Sequence, residues 1–216
     1  MVLNSFRELR HPYNSLKEVL ESQYLRRNLC HLPRGSMVPL LNDGIWLVVR
    51  GLVKIGAVTF HGDELLLDII GPNELFGKPL TDLDAYEATA LCECDLLYMS
   101  MEDVKRSPQL AFAMMNAIGA RYRKSQVWIA LLGLRRVEDR LWGFLELLSK
   151  DFGQPCERGQ RLNIRLTHQE IANALCTTRV TVARLIGVMR DEGKLFMDQR
   201  RRLVIVSPPQ SGSTSQ

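Results

Sequence analysis

The sequence predicts an α+β protein in which a strand-rich N-terminal part precedes a long helix and a helical C-terminal part. Three observations predict this class. Short apolar runs broken by turn signals fill residues 29–99, a proline-free segment runs from about residue 109 to 134, and residues 167–193 carry paired helix start and stop signals. At 216 residues, the chain has room for one large domain or two modest ones.

The N-terminal part begins with an amphipathic segment and continues as a series of short strands. Leu16, Val19 and Leu20 recur at helical spacing, so we expect a helix within the first 30 residues. Strands are predicted at residues 45–49, 53–58, 65–70 and 92–99. Many short strands at regular spacing indicate a β-sandwich or barrel.

The segment from Pro108 to about residue 134 predicts one long helix with two apolar faces. One stripe, close to heptad spacing, contains Ala111, Met115, Ile118, Tyr122, Ser125, Ile129 and Leu132. A second stripe contains Leu110, Met114 and Ala117, then Arg121, and then Trp128 and Leu131. A helix that is apolar on two faces packs against two partners, so we predict a dimer interface at Met115, Ile118, Tyr122, Ser125, Ile129 and Leu132. The alternative is a helix buried within one subunit.

After the long helix, the pattern predicts another helix at residues 137–152, a loop at 155–159 and a short strand at 162–166. Residues 207–216 are poor in apolar side chains and are expected to be disordered.

Residues 167–193 predict a helix-turn-helix. The sequence Thr-His-Gln-Glu at 167–170 fits a capping box that starts the first helix, and Gly193 is placed to end the second. Ala172 is small, as needed where the two helices are expected to approach each other. Cys176 is small, as needed where the chain is expected to turn. Thr178 is the expected N-cap of a second helix over residues 179–192. The alternative is two amphipathic helices that only contribute to the hydrophobic core.

The second helix exposes side chains whose chemistry suits base recognition. An arginine at position 179 or 184 can donate a bidentate hydrogen-bond pair to guanine, whereas Val180 can make only apolar contact, as with a thymine methyl. Nearby hydroxyl and ring donors suit phosphate oxygens, and a basic β-hairpin wing is predicted over residues 194–206. The predicted DNA-binding residues are Arg179, Val180, Arg184, Thr167, His168, Gln169, Thr178, Thr181, Arg200, Arg201 and Arg202.

Charge is unevenly distributed along the chain. The net charge of +4 divides into +2 for residues 1–30, −7 for 31–105 and +9 for 106–216. A basic C-terminal part suits a polyanionic partner, although solvated surface charge is the alternative. No apolar run is long enough for a membrane span and no secretory signal is visible. Five cysteines without scaffold-like spacing predict reduced thiols and a cytoplasmic protein.

The chain resembles the CRP/FNR family of bacterial transcription regulators, and within it the branch of the cyanobacterial nitrogen regulator NtcA. The resemblance is carried by LTHQEIA at residues 166–172, TRVTVARLIG at 178–187 and DFGQP at 151–155. It implies a double-stranded β-roll of the cyclic-nucleotide-binding type with the N-terminal helix (1–106), a dimerisation helix (107–135), a winged helix-turn-helix DNA-binding domain (136–206) and the disordered tail (207–216). Double-stranded DNA and a second copy of the chain are the expected partners, with RNA polymerase a further one.

The resemblance also guides what we expect of the target and the effector. Val180 stands where many members have Glu, which favours a palindrome with GTA and TAC arms over the TGTGA type. The phosphate cassette of cyclic-nucleotide-binding members, Gly-Glu-Leu followed by Arg-Ser or Arg-Thr, is replaced here by LFGKPL at residues 75–80, with Asp82 and Asp84 following. We therefore expect no binding of cyclic AMP.

A dicarboxylate effector such as 2-oxoglutarate also has an incomplete site. Arg121 matches the long-helix arginine, but Asp84 stands near the position of the roll arginine and Gln126 replaces a Glu of that branch. The candidate effector pocket comprises Phe76, Gly77, Lys78, Leu80, Arg121 and Gln126, and its small molecule is unidentified or absent.

Other chemistries find little support. Only Cys30 lies near the N-terminus, so an iron–sulfur cluster of the four-thiolate type is not expected. Cys92 and Cys94 are expected as packed thiols, with a redox or metal role as the alternative. No catalytic triad, phosphate loop or dinucleotide fingerprint appears, so we predict no enzyme, no metal and no cofactor. Two alternatives to a ligand-gated regulator stay open: a constitutive, effector-independent regulator, and a sensor or interaction module that no longer reads DNA.

Overall fold

The computed structural model describes residues 29–199 and 202–206. The predicted N-terminal helix and the predicted disordered tail lie outside these residues. The described chain divides into two compact units. One consists of residues 29–53 and 70–125, and the other of residues 54–69, 126–199 and 202–206.

Two sheets make up the N-terminal strands of the described chain. Their strands are β1 (Cys30–Leu32), β2 (Gly44–Arg50), β3 (Val53–Val58), β4 (Glu64–Ile70), β5 (Leu75–Phe76), β6 (Tyr86–Ala90) and β7 (Cys94–Ser100). One sheet has the order β1-β7-β2-β5 and the other the order β4-β3-β6. These are the sheets of a β-roll, so the predicted α+β class is confirmed.

Four of these strands, β2, β3, β4 and β7, match predicted ones within two residues at either end. The strands that the sequence pattern missed are β1, β5 and β6. Strand β5 has only two residues and depends on antiparallel pairing with β2, where Phe76 lies opposite Trp46. In β6 the buried positions are Tyr86, Ala88 and Ala90, and two small side chains give too weak an apolar alternation to stand out.

The first unit has its core between the roll and the long helix. Helix α1 (Met101–Arg106), which was not predicted, begins at Ser100, whose side chain accepts from the Asp103 N–H in a capping box. Helix α2 (Pro108–Leu132) is the predicted long helix and ends two residues early. Its buried stripe packs against the strands in a cluster that includes Ile45, Leu47, Leu75, Leu97, Met99, Leu110, Ala113, Met114 and Ala117.

In the second unit, helix α3 (Val137–Phe152) follows the predicted bounds. It packs closely on the end of α2, because a Cβ added to Gly143 would lie only 2.4 Å from Leu131 Cδ2. The Trp128 and Phe144 rings meet edge to face nearby, with centroids 5.1 Å apart.

The predicted loop at 155–159 and strand at 162–166 are wrong. The chain instead forms a hairpin of β8 (Gly153–Cys156) and β9 (Gly159–Leu162), and residues 163–166 are not a strand. The hairpin joins β10 (Leu195–Met197) and β11 (Leu203–Val206) in a sheet of order β10-β11-β9-β8. Pairing with β11 is a long-range contact, which local apolar alternation does not report.

Candidate nucleic-acid interface

The first helix of the predicted motif, α4 (His168–Ala174), begins at the expected capping box. Thr167 Oγ1 accepts from the Glu170 N–H at 3.1 Å, and Glu170 Oε2 accepts from the Thr167 N–H at 2.8 Å. Two backbone donors that a helix start would leave unpaired are thereby satisfied. The capping box read from the sequence is confirmed.

The turn between the two helices is tight and includes a residue with left-handed backbone geometry. Cys176 has φ +50°, and the Thr177 N–H donates to the Ala172 carbonyl at 3.1 Å. Thr178 then caps α5 (Arg179–Asp191), its hydroxyl accepting from the Thr181 N–H. The helices change direction by 106°, within the range of a helix-turn-helix.

Helix α5 has a buried face and an exposed N-terminal face. Val182 and Met189 are at most 1% exposed and pack inward with Leu185 and Ile186. Arg179, Ala183 and Arg184 are exposed, and Val180 is 77% exposed. An exposed valine beside two exposed arginines leaves both apolar and bidentate polar groups available to a major groove.

The predicted phosphate-contacting residues cluster at the N-termini of α4 and α5. Thr167, His168, Gln169 and Thr178 are exposed, and Thr181 is half-buried. The hydroxyls of Thr178 and Thr181 lie 2.9 Å apart, and Gln169 donates to Asn173 Oδ1 at 2.7 Å. The N–H groups of a helix N-terminus and its dipole favour an anion, so these positions suit phosphate oxygens.

The wing is a short antiparallel hairpin of β10 and β11, in which Phe196 pairs with Val204. Arg202 turns towards the domain: its N–H donates to Asp198 Oδ1 at 2.8 Å and its Nη1 to Asn163 Oδ1 at 2.6 Å. Arg200 and Arg201 lie outside the described residues. Of the three predicted wing arginines, only Arg202 is described, and protein acceptors hold it.

Besides capping α4, Glu170 forms an ion pair that the sequence did not predict. Its Oε1 lies 3.0 Å from Lys54 Nζ, and both residues belong to the second unit. The nearby Asn173 donates to Glu64 Oε2 at 3.4 Å, so the hairpin of β3 and β4 contacts α4 twice. Burial of Glu170 opposes its ionisation, but hydrogen bonds from the Thr167 N–H and Lys54 outweigh it and lower its pKa. No sequence pattern around Lys54 or around Glu170 predicts this ion pair.

The candidate effector residues of the first unit differ in burial and in their hydrogen-bond partners. Phe76 is fully buried, Leu80 packs on the core of the unit, and Arg121 Nη1 donates to the Leu75 carbonyl at 2.8 Å. Lys78 Nζ donates to the carbonyls of Leu83 and Asp84. A cavity of about 300 Å³ beside Lys78 is lined by Asn42, Lys78, Pro79, Thr81, Asp82, Leu83 and Asp84. Gly77 adopts φ +155° at the start of this segment, and Gln126 is an exposed residue of α2.

The predicted dimer stripe lies on the exposed side of α2. Met115, Tyr122 and Ile129 are between 60% and 68% exposed and Ile118 is 38% exposed, while Ser125 and Leu132 are half-buried. Phe112, at 62% exposed, extends the stripe by one more apolar side chain.

Two features are absent from residues 29–199 and 202–206. No single helix among them is long and apolar enough to cross a membrane; only α4 and α5 taken together, across their bend, reach that length and composition. Within the same residues, no group of three or more His, Cys, Asp or Glu side chains is arranged to hold a metal ion.

Comparison with known proteins agrees with this geometry. A family model described as the Crp-like helix-turn-helix domain matches residues 139–210. The global nitrogen regulator of Nostoc sp. is 31% identical over 175 residues, covering 77% of this chain and 78% of that protein. The regulatory protein CysR of Synechococcus elongatus is 32% identical, covering 82% of this chain and 83% of that protein.

A solved structure shows the same fold. The crystal structure of a CRP-family transcriptional regulator from Thermus thermophilus superposes with a TM-score of 0.70 at 19% identity, covering 82% of this chain and 92% of that one. This likeness shows the shared fold, and the two regulators at 31% and 32% identity, with the helix-turn-helix match, show the family. The chain is a DNA-binding transcription regulator, not an enzyme, and belongs to the CRP/FNR family, in the branch of the cyanobacterial nitrogen regulators.

Proposed function

We propose that the protein acts as a homodimer that binds a palindromic promoter site, each copy inserting α5 into one major groove. The observation that carries this proposal is the exposure of Arg179, Val180 and Arg184 on an otherwise anchored helix. In this proposal residues 1–106 are the effector-type domain, 107–135 the dimerisation helix and 136–206 the DNA-binding domain. A two-fold dimer would present its two recognition helices about one DNA turn apart.

The exposed stripe of α2 supports the dimer. Its members follow alternating steps of three and four residues, the spacing of a helix seam that packs on a second helix. A row of large apolar side chains on one helix differs from scattered exposed hydrophobics and marks an interaction surface. A second copy of the same helix presents the same row, so an isologous pairing covers both.

The residues at the N-terminal end of α5 support GTA and TAC arms. Val180 cannot hydrogen-bond a base edge, so it favours the methyl group of thymine, and the flanking arginines favour guanine. Thr167, His168, Gln169, Thr178 and Thr181, with the wing arginines, would position the dimer on the phosphates.

We also propose that cyclic AMP does not regulate this protein. The cavity beside Lys78 is walled by Asp82 and Asp84, which repel a phosphate. Lys78 already donates to two backbone carbonyls there. Action in the cytoplasm and contact with RNA polymerase are parts of the same proposal.

Fluorescence anisotropy with labelled duplexes at one fixed salt concentration tests the proposal. The GTA/TAC palindrome is expected to bind more tightly than a TGTGA palindrome, and each of Arg179→Ala and Arg184→Ala to weaken binding roughly 10- to 100-fold. Arg190→Ala is the matched control, because Arg190 is exposed in the last turn of α5, away from the recognition end.

Unchanged specific binding in both arginine variants would reject DNA reading by α5. Absence of specific binding in the wild type would favour the second candidate, a sensor or interaction module that no longer reads DNA. Tighter binding of the TGTGA site would reject the proposed arms, and calorimetry showing saturable cyclic AMP binding would reject the proposed insensitivity.

A further inference from the structure

A buried ion pair ties the long helix to the roll within the first unit. Lys124 Nζ lies 3.3 Å from Glu74 Oε1, and the two side chains are only 13% and 10% exposed. The second carboxylate oxygen, Oε2, accepts from the Gly71 N–H at 2.6 Å. The carboxylate of Glu74 thus has a backbone donor on one oxygen and an ammonium group on the other.

The preceding turn of α2 makes a second contact with the same segment. Arg121 Nη1 donates to the carbonyl oxygen of Leu75, adjacent to Glu74 in the chain, at 2.8 Å. Residues 121 and 124 stand three apart, so both cations lie on one side of the helix. This is also the side on which Leu110 and Ala117 are buried.

The segment that receives these cations is itself held rigidly on β2. The Asn73 N–H donates to the Val48 carbonyl at 2.8 Å, and the Val48 N–H donates to the Glu74 carbonyl at 3.1 Å. Asn73 has φ +66°, which turns the chain so that Glu74 reaches α2. Leu75 is the first residue of β5 and pairs with Leu47. Glu74 therefore presents its carboxylate to α2 from a fixed position.

From this arrangement we infer that Glu74 is a built-in anion that fixes α2 on the roll and replaces a small anionic effector there. The inference rests on the proposed DNA-binding function and specifies its regulation: the DNA-competent form does not need a dicarboxylate or a phosphate ligand between the roll and α2.

Competition explains why a free anion does not take this place. A group attached to the same chain and held in position acts at an effective concentration of millimolar or more, so a metabolite of lower concentration is displaced. An anion that did replace Glu74 would leave a buried carboxylate without its cation, which is strongly unfavourable. The two cations of α2 thus carry internal partners in place of a ligand.

The test combines DNA affinity with amide hydrogen exchange, using the full chain and 2-oxoglutarate as the anionic probe. In the wild type, millimolar 2-oxoglutarate should change neither the Kd for the palindrome nor the exchange of residues 117–124. Glu74→Gln keeps the shape and an acceptor for Gly71 but removes the charge. It should weaken DNA binding at least about tenfold and speed exchange of α2. Glu74→Ala, which also opens space beside Lys124, should cause the same losses, and the probe should reverse part of them.

The matched control is Glu102→Gln, which removes a carboxylate paired with Arg106 on the surface. Because that pair is exposed, neither DNA affinity nor exchange in α2 should change. If Glu74→Gln fails to fold, the double variant E74Q/K124M, which buries no unpaired charge, takes its place and should show the same loss of DNA affinity.

Two results would overturn the inference: a several-fold response of the wild type to 2-oxoglutarate, or a folded Glu74 variant that binds DNA and exchanges like the wild type. Failure of the proposed DNA-binding function would give a different result from failure of this inference. If the wild type binds no palindrome, the exchange of α2 and its indifference to the probe still decide whether Glu74 is the built-in anion.

Discussion

Thr167 and Glu170 hydrogen-bond each other in both directions at the start of α4, each side chain accepting from the backbone N–H of the other residue. This pair fixes the first residue of the helix-turn-helix. Since the recognition helix follows after one short turn, the same pair helps to set where Arg179 emerges.

Removal of the cap should therefore cost stability. Thr167→Ala deletes the hydroxyl that accepts from Glu170, and we expect a loss of about 1 kcal/mol in the free energy of unfolding. Urea unfolding followed by circular dichroism measures it. Thr167→Ser, which keeps the acceptor, is the control and should stay near the wild type; equal losses in both variants would contradict a capping role.

Glu170 should also make stability depend on pH. Its pKa in the folded chain is held below the ordinary value of 4.5: burial opposes ionisation, but the Thr167 N–H and Lys54 favour the carboxylate more strongly. The resulting stabilisation is complete above the unfolded pKa and disappears as pH falls through the folded pKa. Unfolding free energies measured at and below pH 4.5 should fall less steeply in Glu170→Gln than in the wild type, whereas Glu102→Gln should follow the wild type.

The apolar stripe of α2 predicts the oligomeric state. Ile129→Asp places a charge at a position that is 68% exposed in the single chain and belongs to the proposed seam. We expect light scattering to shift from a dimer towards the 24.6 kDa monomer, with DNA affinity falling in parallel. Phe60→Asp is the control, since Phe60 is fully exposed outside α2. A dimer that survives Ile129→Asp unchanged argues against this seam.

Two helical glycines should respond in opposite directions. Gly143→Val forces Leu131 aside and should destabilise the second unit by roughly 1–3 kcal/mol, while Gly187→Ala meets nothing within 4 Å and should stabilise α5 by about 0.5–1 kcal/mol. Thermal unfolding of both variants checks the pair. If Gly143→Val had no cost, the close approach of α2 and α3 would be refuted.

The cysteines should differ sharply in reactivity. Burial, reinforced by the nearby Cys92, raises the pKa of the Cys94 thiol to about 11, so almost no thiolate exists at neutral pH. Cys176 is exposed in the turn between α4 and α5. Iodoacetamide should alkylate Cys176 well before Cys94 in the folded protein, and both in denaturant. Equal rates in the folded state would instead support a reactive role for Cys94.

Several features of the fold follow from residues that are close in sequence. The capping box at Thr167, the turn at Cys176, the buried stripe of α5 and the strands β2, β3, β4 and β7 all have local signals, because they depend on side chains a few positions apart. For the same reason the sequence indicated which residues at the start of α5 are exposed, and it indicated the family. Residues whose structure depends on distant partners, such as β5 and the hairpin of β8 and β9, were missed or assigned wrongly.

The sequence by itself thus determined the α+β class, the helix-turn-helix and the row of apolar residues along α2. Only the tertiary structure decided that Arg121 and Lys124 are occupied by the chain and that Glu170 pairs with Lys54. Lys124 and Glu74 are 50 residues apart, and Glu170 and Lys54 are 116 apart. Side-chain periodicity records which face of an element is buried, but the identity of the group across that face depends on how distant segments pack.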